Sequence, residues 1–523
     1  MTKGLLYKST FILGLSFLVS RLLGLTRDHL LARMFGVGGE GFFNLDVYFA
    51  AFRLPDFIFA LLIMGTVSAA FVPVLAGLKS GTATQLDEKA NLFVCNVLNV
   101  VFVATSVAAG VVFIFAPALL RLFVPGFSEM DFELTVQVTR LMLISPLFFS
   151  LSAVLQSTQN AFDKFKYYAL APVLYNLGII LGIVFFAQEY GVYGVAFGVI
   201  LGAALHFLIQ IPGVRGLGFR YRLKISLRDK HLVEMIRLVI PRIVGMSVMQ
   251  VNLIFDTLVG SLLAVGSITV LNYAVNLNSL PMGMVGVSFA IASFATLSNL
   301  AVKGNLSDFA DQLRHTVSGI LFFVIPSIVG LFVLRFSVVD LVLGNGAFTE
   351  SDILITGNTL AFFLIGLVGQ SLIPALAKSF YAFKNTIIPV GVSIVSVTLN
   401  IGLNFYLALV VGMGVYGIAL ATSIAALLNV TLLCIFLHVK FLKGMRFLPL
   451  KKMILIVFSS VVMGVGVCFV DSSLSSFGQS STFNQILALS TSILIGASLY
   501  FMLTWTFRMS EIKSIVRLAR RRR

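Results

Sequence analysis

Charge is what this chain lacks. Only 11% of its 523 residues are Asp, Glu, Lys or Arg, against 59% hydrophobic. A soluble globular domain carries about 25% charged residues, so a water-soluble enzyme of this length is excluded. Cysteine is scarcer still: Cys95, Cys434 and Cys468 all fall inside apolar runs. They offer neither a disulfide framework nor a zinc site. The histidines, His29, His206, His231, His315 and His438, are scattered without metal-ligand spacing. HExxH, GxSxG and Walker-type loops are missing, so neither catalysis nor ATP-driven transport has visible machinery. No repeated filter or pore loop marks a channel. The net charge of +16 is spread over short loops and not interleaved with aromatics, which argues against nucleic acid. No small-residue cleavage site follows the first apolar run, so a cleavable signal peptide is not expected.

What the chain has is long apolar segments. Fourteen of them lie near 10–35, 46–76, 91–120, 135–157, 169–186, 192–212, 239–263, 270–300, 317–334, 356–377, 386–410, 414–437, 454–470 and 486–507. A spanning helix needs about 20 mostly apolar residues. The pattern predicts an all-α polytopic membrane protein of about fourteen transmembrane helices. The connections alternate in charge. One set holds Lys164, Lys166, Arg215, Arg220, Arg222, Lys224, Lys440 and Lys443, while the other holds Glu40, Asp131, Glu133, Glu189, Asp340 and Glu350. Lys and Arg accumulate on the cytoplasmic side, so both termini are expected there. The basic tail after Arg508 reads as an anchor on anionic lipid.

The chain also repeats itself. Gly191-Val192-Tyr193-Gly194 recurs as Gly414-Val415-Tyr416-Gly417, each opening an apolar helix. Phe162-x-x-Phe165-Lys166 recurs as Phe380-x-x-Phe383-Lys384, and Pro55 pairs with Pro281. The expected domains are a six-helix lobe over 1–226, a pseudo-symmetric six-helix lobe over 227–444, and two extra helices with a basic tail over 445–523. Transporters commonly bind substrate between such lobes.

Ionisable residues at membrane depth cost about 2.5–3.5 kcal/mol each on insertion scales and are seldom idle. Arg21, Arg27 and Asp28 sit in the first segment, and Arg53 sits in the front part of the second. Arg21 and Arg27 are six residues apart, so they lie about 120° apart around a helix and about 9 Å apart along it, whereas Arg21 and Asp28, seven apart, share a face more closely. Three guanidiniums on neighbouring helices form a basin for phosphate oxygens, with Asp28 as an orienter. Asp46, at the start of the second segment, suits the cap of its own helix. Asp256 in the seventh segment, Asn400 and Asn404 in the eleventh, and Thr422 in the twelfth are oxygen donors suited to a hard cation such as sodium. Interhelical hydrogen bonding explains the asparagines equally well. No other metal and no organic cofactor is expected.

The stretch SRLLGLTRDHLLARMFG at 20–36, then DVYFAAFRLP from Asp46, GNGAFTESD at 344–352 and SFYAFKNTIIPV at 379–390 resemble the murein-precursor flippase family, MurJ/MviN. That family belongs to the multidrug/oligosaccharidyl-lipid/polysaccharide exporter superfamily. The resemblance implies two six-helix lobes around a V-shaped cavity and two extra helices forming a hydrophobic groove. It implies a lipid II flippase of the bacterial inner membrane serving peptidoglycan synthesis, with membrane lipids and cell-wall synthesis proteins as partners. It assigns Arg21, Arg27 and Arg53 to the diphosphate, and Asp256, Asn400, Asn404 and Thr422 to a sodium ion. Four positions depart from the family: Phe59 and Met64 stand where it has Arg and Glu, and Val275-Asn276 where it has Asp-Arg. Those losses keep alternatives open: another polyprenyl-diphosphate glycan as cargo, a cation-coupled drug exporter, or a degenerate envelope scaffold.

Overall fold

The computed structural model describes residues 3–64, 70–78, 85–445, 447–475 and 482–512. The tail after 512, Lys79 and Arg446 lie outside the described residues, as does the Met64 side chain. The chain runs through α1 Lys3–Phe35, α2 Leu45–Ile58, α3 Val72–Leu78, α4 Glu88–Phe123, α5 Glu129–Met142, α6 Ile144–Ala161, α7 Phe165–Tyr190, α8 Val192–Leu208 and α9 Gln210–Arg215. It continues through α10 Lys230–Ser261, α11 Ser267–Pro281, α12 Ser288–Val302, α13 Leu306–Val333, α14 Arg335–Leu343, α15 Glu350–Ala382, α16 Ile387–Phe405, α17 Val415–Phe436, α18 Leu450–Ser475 and α19 Thr482–Thr506. No strand occurs among the described residues.

Eleven helices among the described residues are long and apolar enough to cross a membrane. They correspond to the third to sixth and the eighth to fourteenth expected segments. The first, second and seventh are α1, α2 with its continuation, and α10. These three carry Arg21, Arg27 and Asp28; Asp46, Arg53 and Asp56; and Asp256.

Packing divides the chain into two compact units. One holds Met1–Thr269 with Asn345–Phe348, and the other holds Val270–Gly344 with Thr349–Arg523. The repeat divides the sequence near 226 instead, because α10 packs on α2, α3 and α4 of the first unit.

In the first unit α7 and α8 pack through glycine. A Cβ on Gly182 would lie 2.3 Å from the Gly198 Cα, and one on Gly178 would lie 2.3 Å from the Gly202 Cα. Membrane helices lack a hydrophobic drive to associate, and close backbone approach replaces it.

The repeat is visible in backbone conformation. Gly191 (φ 54°, ψ −130°) and Gly414 (φ 57°, ψ −135°) precede α8 and α17 in the same glycine-only geometry. Pro55 and Pro281 each lie just before a π-helical turn, at Phe59–Met64 and Met282–Val287. The turn after α6 hydrogen-bonds Asp163 N to Asn160 O, and the turn after α15 hydrogen-bonds Lys384 N to Tyr381 O. Both residues have φ 57°. Structural register therefore pairs Asp163 with Lys384, three residues off the Phe-x-x-Phe-Lys match in the sequence.

In the second unit the turn after α19 is tied down by a carboxylate. Glu511 accepts from Ser318 Oγ of α13 at 2.5 Å and from Lys452 Nζ of α18 at 2.7 Å. Burial alone would push this carboxyl up, but the bonds from Lys452 and Ser318 outweigh it and hold the group below its ordinary value. Its stabilisation is therefore full above the ordinary carboxylate range and is lost as pH falls through and below it. Glu511→Gln should lower the unfolding temperature in detergent at pH 7, and the gap to the native chain should narrow as pH falls below the ordinary carboxylate range. A gap independent of pH would refute the charge-based tie.

Candidate functional site

The arginine site belongs to the first unit and is built on α1, α2, α7 and α10. Arg27 meets Asp28 beside it, with Nη2 and Nε at 2.8 and 3.0 Å from Oδ1. The Arg27 side chain is 24% exposed and that of Asp28 is 7% exposed. Arg27 Nη1 also donates to Asn176 Oδ1 of α7 at 3.4 Å. Asn176 Nδ2 in turn donates to Ser20 Oγ at 3.2 Å and Pro172 O at 3.0 Å. One amide thus pins the guanidinium and the neighbouring helix together. Asp28 holds Arg27 rather than Arg21, although seven-residue spacing put Arg21 and Asp28 on one face. Adjacent residues pair here because the long arginine side chain folds back on its neighbour. Arg21 is exposed, with its guanidinium 5.4 Å from the centre of the Phe17 ring.

Arg53, on α2, is half-buried. Its Nε donates to Thr257 Oγ1 of α10 at 2.7 Å, and Asp56 and Asp256 stand in electrostatic reach. Asp256 also accepts from Asn252 Nδ2 at 3.2 Å. Tyr48 and Tyr175 both lie within electrostatic reach of Arg27 and Asp56. The arginines are thus set among the carboxylates of Asp28, Asp56 and Asp256. Phe59 fills the place expected to hold a cation, with its ring 5.0 Å from Phe149, which lies 5.2 Å from Tyr175.

Sequence reasoning missed Asn176, Tyr48, Tyr175 and Thr257. Asn176 is an amide in the otherwise apolar α7, and that was the available signal. It also misread Asp46. Asn44 caps α2, its Oδ1 accepting from Asp46 N at 2.9 Å. Asp46 instead caps α11, accepting from Gly266 N at 2.7 Å, Thr269 N at 2.8 Å and Thr269 Oγ1 at 2.6 Å. The α11 N-terminus carries partial positive charge and unpaired N–H groups, so a buried carboxylate from another helix is held there.

In the second unit Asn400, Asn404 and Thr422 come together. Asn400 Nδ2 donates to Thr422 Oγ1 at 3.3 Å, and Asn404 Nδ2 donates to Asn400 Oδ1 at 3.2 Å. The donor set is neutral oxygen, which suits a hard monovalent ion. Asp256 belongs to the first unit.

The second unit also holds an apolar hollow of about 440 Å³ against α11, α13, α18 and α19. Leu280, Phe323, Met463, Val467 and Phe501 line it.

Comparison with known proteins agrees in one direction. The family profile described as lipid II flippase MurJ matches residues 31–507. A probable lipid II flippase MurJ of Vibrio cholerae is 31% identical over 446 residues, covering 83% of each chain. One from Rhizobium tropici is 28% identical over 529 residues, covering 99% of this chain and 97% of its own. A solved lipid II flippase MurJ in an inward closed conformation superposes with TM-score 0.78 at 30% identity, covering 95% of this chain and 98% of that one. An inward-facing multidrug resistance MATE transporter of the MOP superfamily shares the fold alone, with TM-score 0.62 at 15% identity over 84% of this chain and 95% of that one.

Proposed function

Because the chain belongs to the lipid II flippase MurJ family, we propose that it carries lipid II from the inner to the outer leaflet of the bacterial cytoplasmic membrane by alternating exposure of the arginine site. The observation that carries this reading is Arg27 and Arg53 held among Asp28, Asp56 and Asp256 within one unit. Lipid II joins an undecaprenyl tail to a sugar-peptide head through a diphosphate. A diphosphate needs forked cationic donors. Without cargo, an unpaired arginine at this depth is expensive, and the carboxylates offset that cost. Cargo phosphates then exchange with carboxylates rather than meeting naked cations. Weak charge swapping of this kind favours release as well as capture. Arg21, exposed on the same helix, supplies the outermost contact. The hollow of the second unit offers the isoprenoid tail an apolar wall. Both termini are cytoplasmic in this reading, which follows the cation-rich loops.

Expression of the native chain should restore growth to flippase-depleted cells and expose labelled lipid II to reagents outside the membrane. A chain that reaches the membrane and does neither sinks the reading. Asn400, Asn404 and Thr422 hold a sodium ion in the same scheme. Thr422→Val then removes the sodium dependence of flipping, and a native chain that flips equally well in potassium overturns that assignment.

A further inference from the structure

The first unit contains a second hollow that shares no lining residue with the arginine site. Its volume is about 490 Å³, within the roughly 300–1,000 Å³ range of ligand pockets. Phe102, Leu151, Leu155 and Phe207 form its wall, and Asn99, Arg215 and Tyr221 form its polar edge.

One side of this hollow is the basic link after α9, and α4 holds that link in place. Asn91 exchanges two hydrogen bonds with the Arg220 backbone, at 2.8 and 3.0 Å. Arg222 N donates to Cys95 Sγ at 3.3 Å. Asn99 Nδ2 donates to Lys224 O at 3.0 Å. Asn96 exchanges two bonds with Ser226, at 2.7 and 3.0 Å. Positions 91, 95 and 99 recur once per helical turn, so one face of α4 acts as a template for an extended strap. Tyr221 OH donates to Asn99 Oδ1 at 3.0 Å, which fixes the hydroxyl at the edge of the hollow.

An extended chain turns alternate side chains to opposite faces. Arg220, Arg222 and Lys224 share one face. Tyr221, Leu223 and Ile225 share the other and are 59%, 80% and 55% exposed. Exposed apolar groups alternating with cations suit the headgroup layer of an anionic bilayer. A strap of this pattern at the rim suits a hollow that opens toward lipid headgroups.

We propose that the hollow binds one anionic glycerophospholipid, with an acyl chain against Phe102, Leu151 and Phe207 and its phosphate on the Arg215 guanidinium. The apolar wall gives a soluble anion nothing to bury. A cationic edge prefers an anionic head over a zwitterionic one. The proposal does not rest on the flippase reading and concerns residues outside the arginine site.

The test uses the full chain reconstituted in mixed phosphatidylglycerol and phosphatidylcholine, then extracted in mild detergent. Native mass spectrometry counts the lipid retained. One phosphatidylglycerol per chain is expected. Arg215→Ala should weaken its retention about tenfold, the worth of one charge-assisted contact, while Arg215→Lys keeps most of it. Leu151→Trp should fill the hollow and remove the lipid with the unfolding temperature unchanged. If that variant misfolds, the exposed Arg215 decides alone. Equal retention of phosphatidylcholine overturns the proposal. So does retention unchanged in Arg215→Ala, or displacement of the lipid by inorganic phosphate.

Discussion

Arg27→Ala should abolish rescue of flippase-depleted cells while the protein still accumulates in the membrane. The variant removes a charge-assisted donor pair, worth about 1.5–3 kcal/mol, or about 10–100-fold in cargo affinity. It also leaves the Asp28 carboxylate, 7% exposed, without its cation at a place meant for phosphates. That remaining negative charge repels the cargo, so the loss should exceed that of a missing contact. Arg27→Lys should rescue weakly, because an ammonium cannot grip oxygens in a fork. Arg27→Ala combined with Asp28→Asn should recover part of the lost binding, by removing the stranded carboxylate. Full rescue by Arg27→Ala and by Arg53→Ala would leave the proposed site without a role.

The second large effect is on folding. Asp46 is 3% exposed and accepts from Gly266 N, Thr269 N and Thr269 Oγ1 at the start of α11. Asp46→Ala strands the buried Gly266 and Thr269 N–H groups, at about 1–3 kcal/mol each, for a loss of at least about 4 kcal/mol. Thermal unfolding in detergent should shift down by several degrees. Asp46→Asn retains one carbonyl oxygen and should recover about half of that loss. Indistinguishable unfolding of Asp46→Ala and the native chain would mean that water reaches this helix start. Activity should fall in step with stability, unlike Arg27→Ala, where the two separate.

The helices were largely legible because membrane burial writes each one as an apolar run of the right length. The repeat was legible at glycine, since Gly191 and Gly414 occupy a backbone conformation that other residues resist. Partners were not. Helical spacing put Arg21 and Asp28 on one face, yet Arg27 reaches Asp28 because side-chain length overrides angular position. Asp46 looked like the cap of its own helix, and the shorter reach of Asn44 took that place. Asn176 was hidden among apolar neighbours, and nothing local says that its amide faces α1. The π-helical turns after Pro55 and near Pro281 also have no composition of their own.

Those turns have a mechanical consequence. A π turn stores one residue more than the α-helical path needs. Passing that surplus along the helix keeps most backbone hydrogen bonds and swivels the side chains it crosses by about 100°, the angle of one α-helical step. The surplus after Pro55 begins six residues beyond Arg53 on the same span. A shift of that surplus toward Arg53 would turn the side chains between them by one helical step.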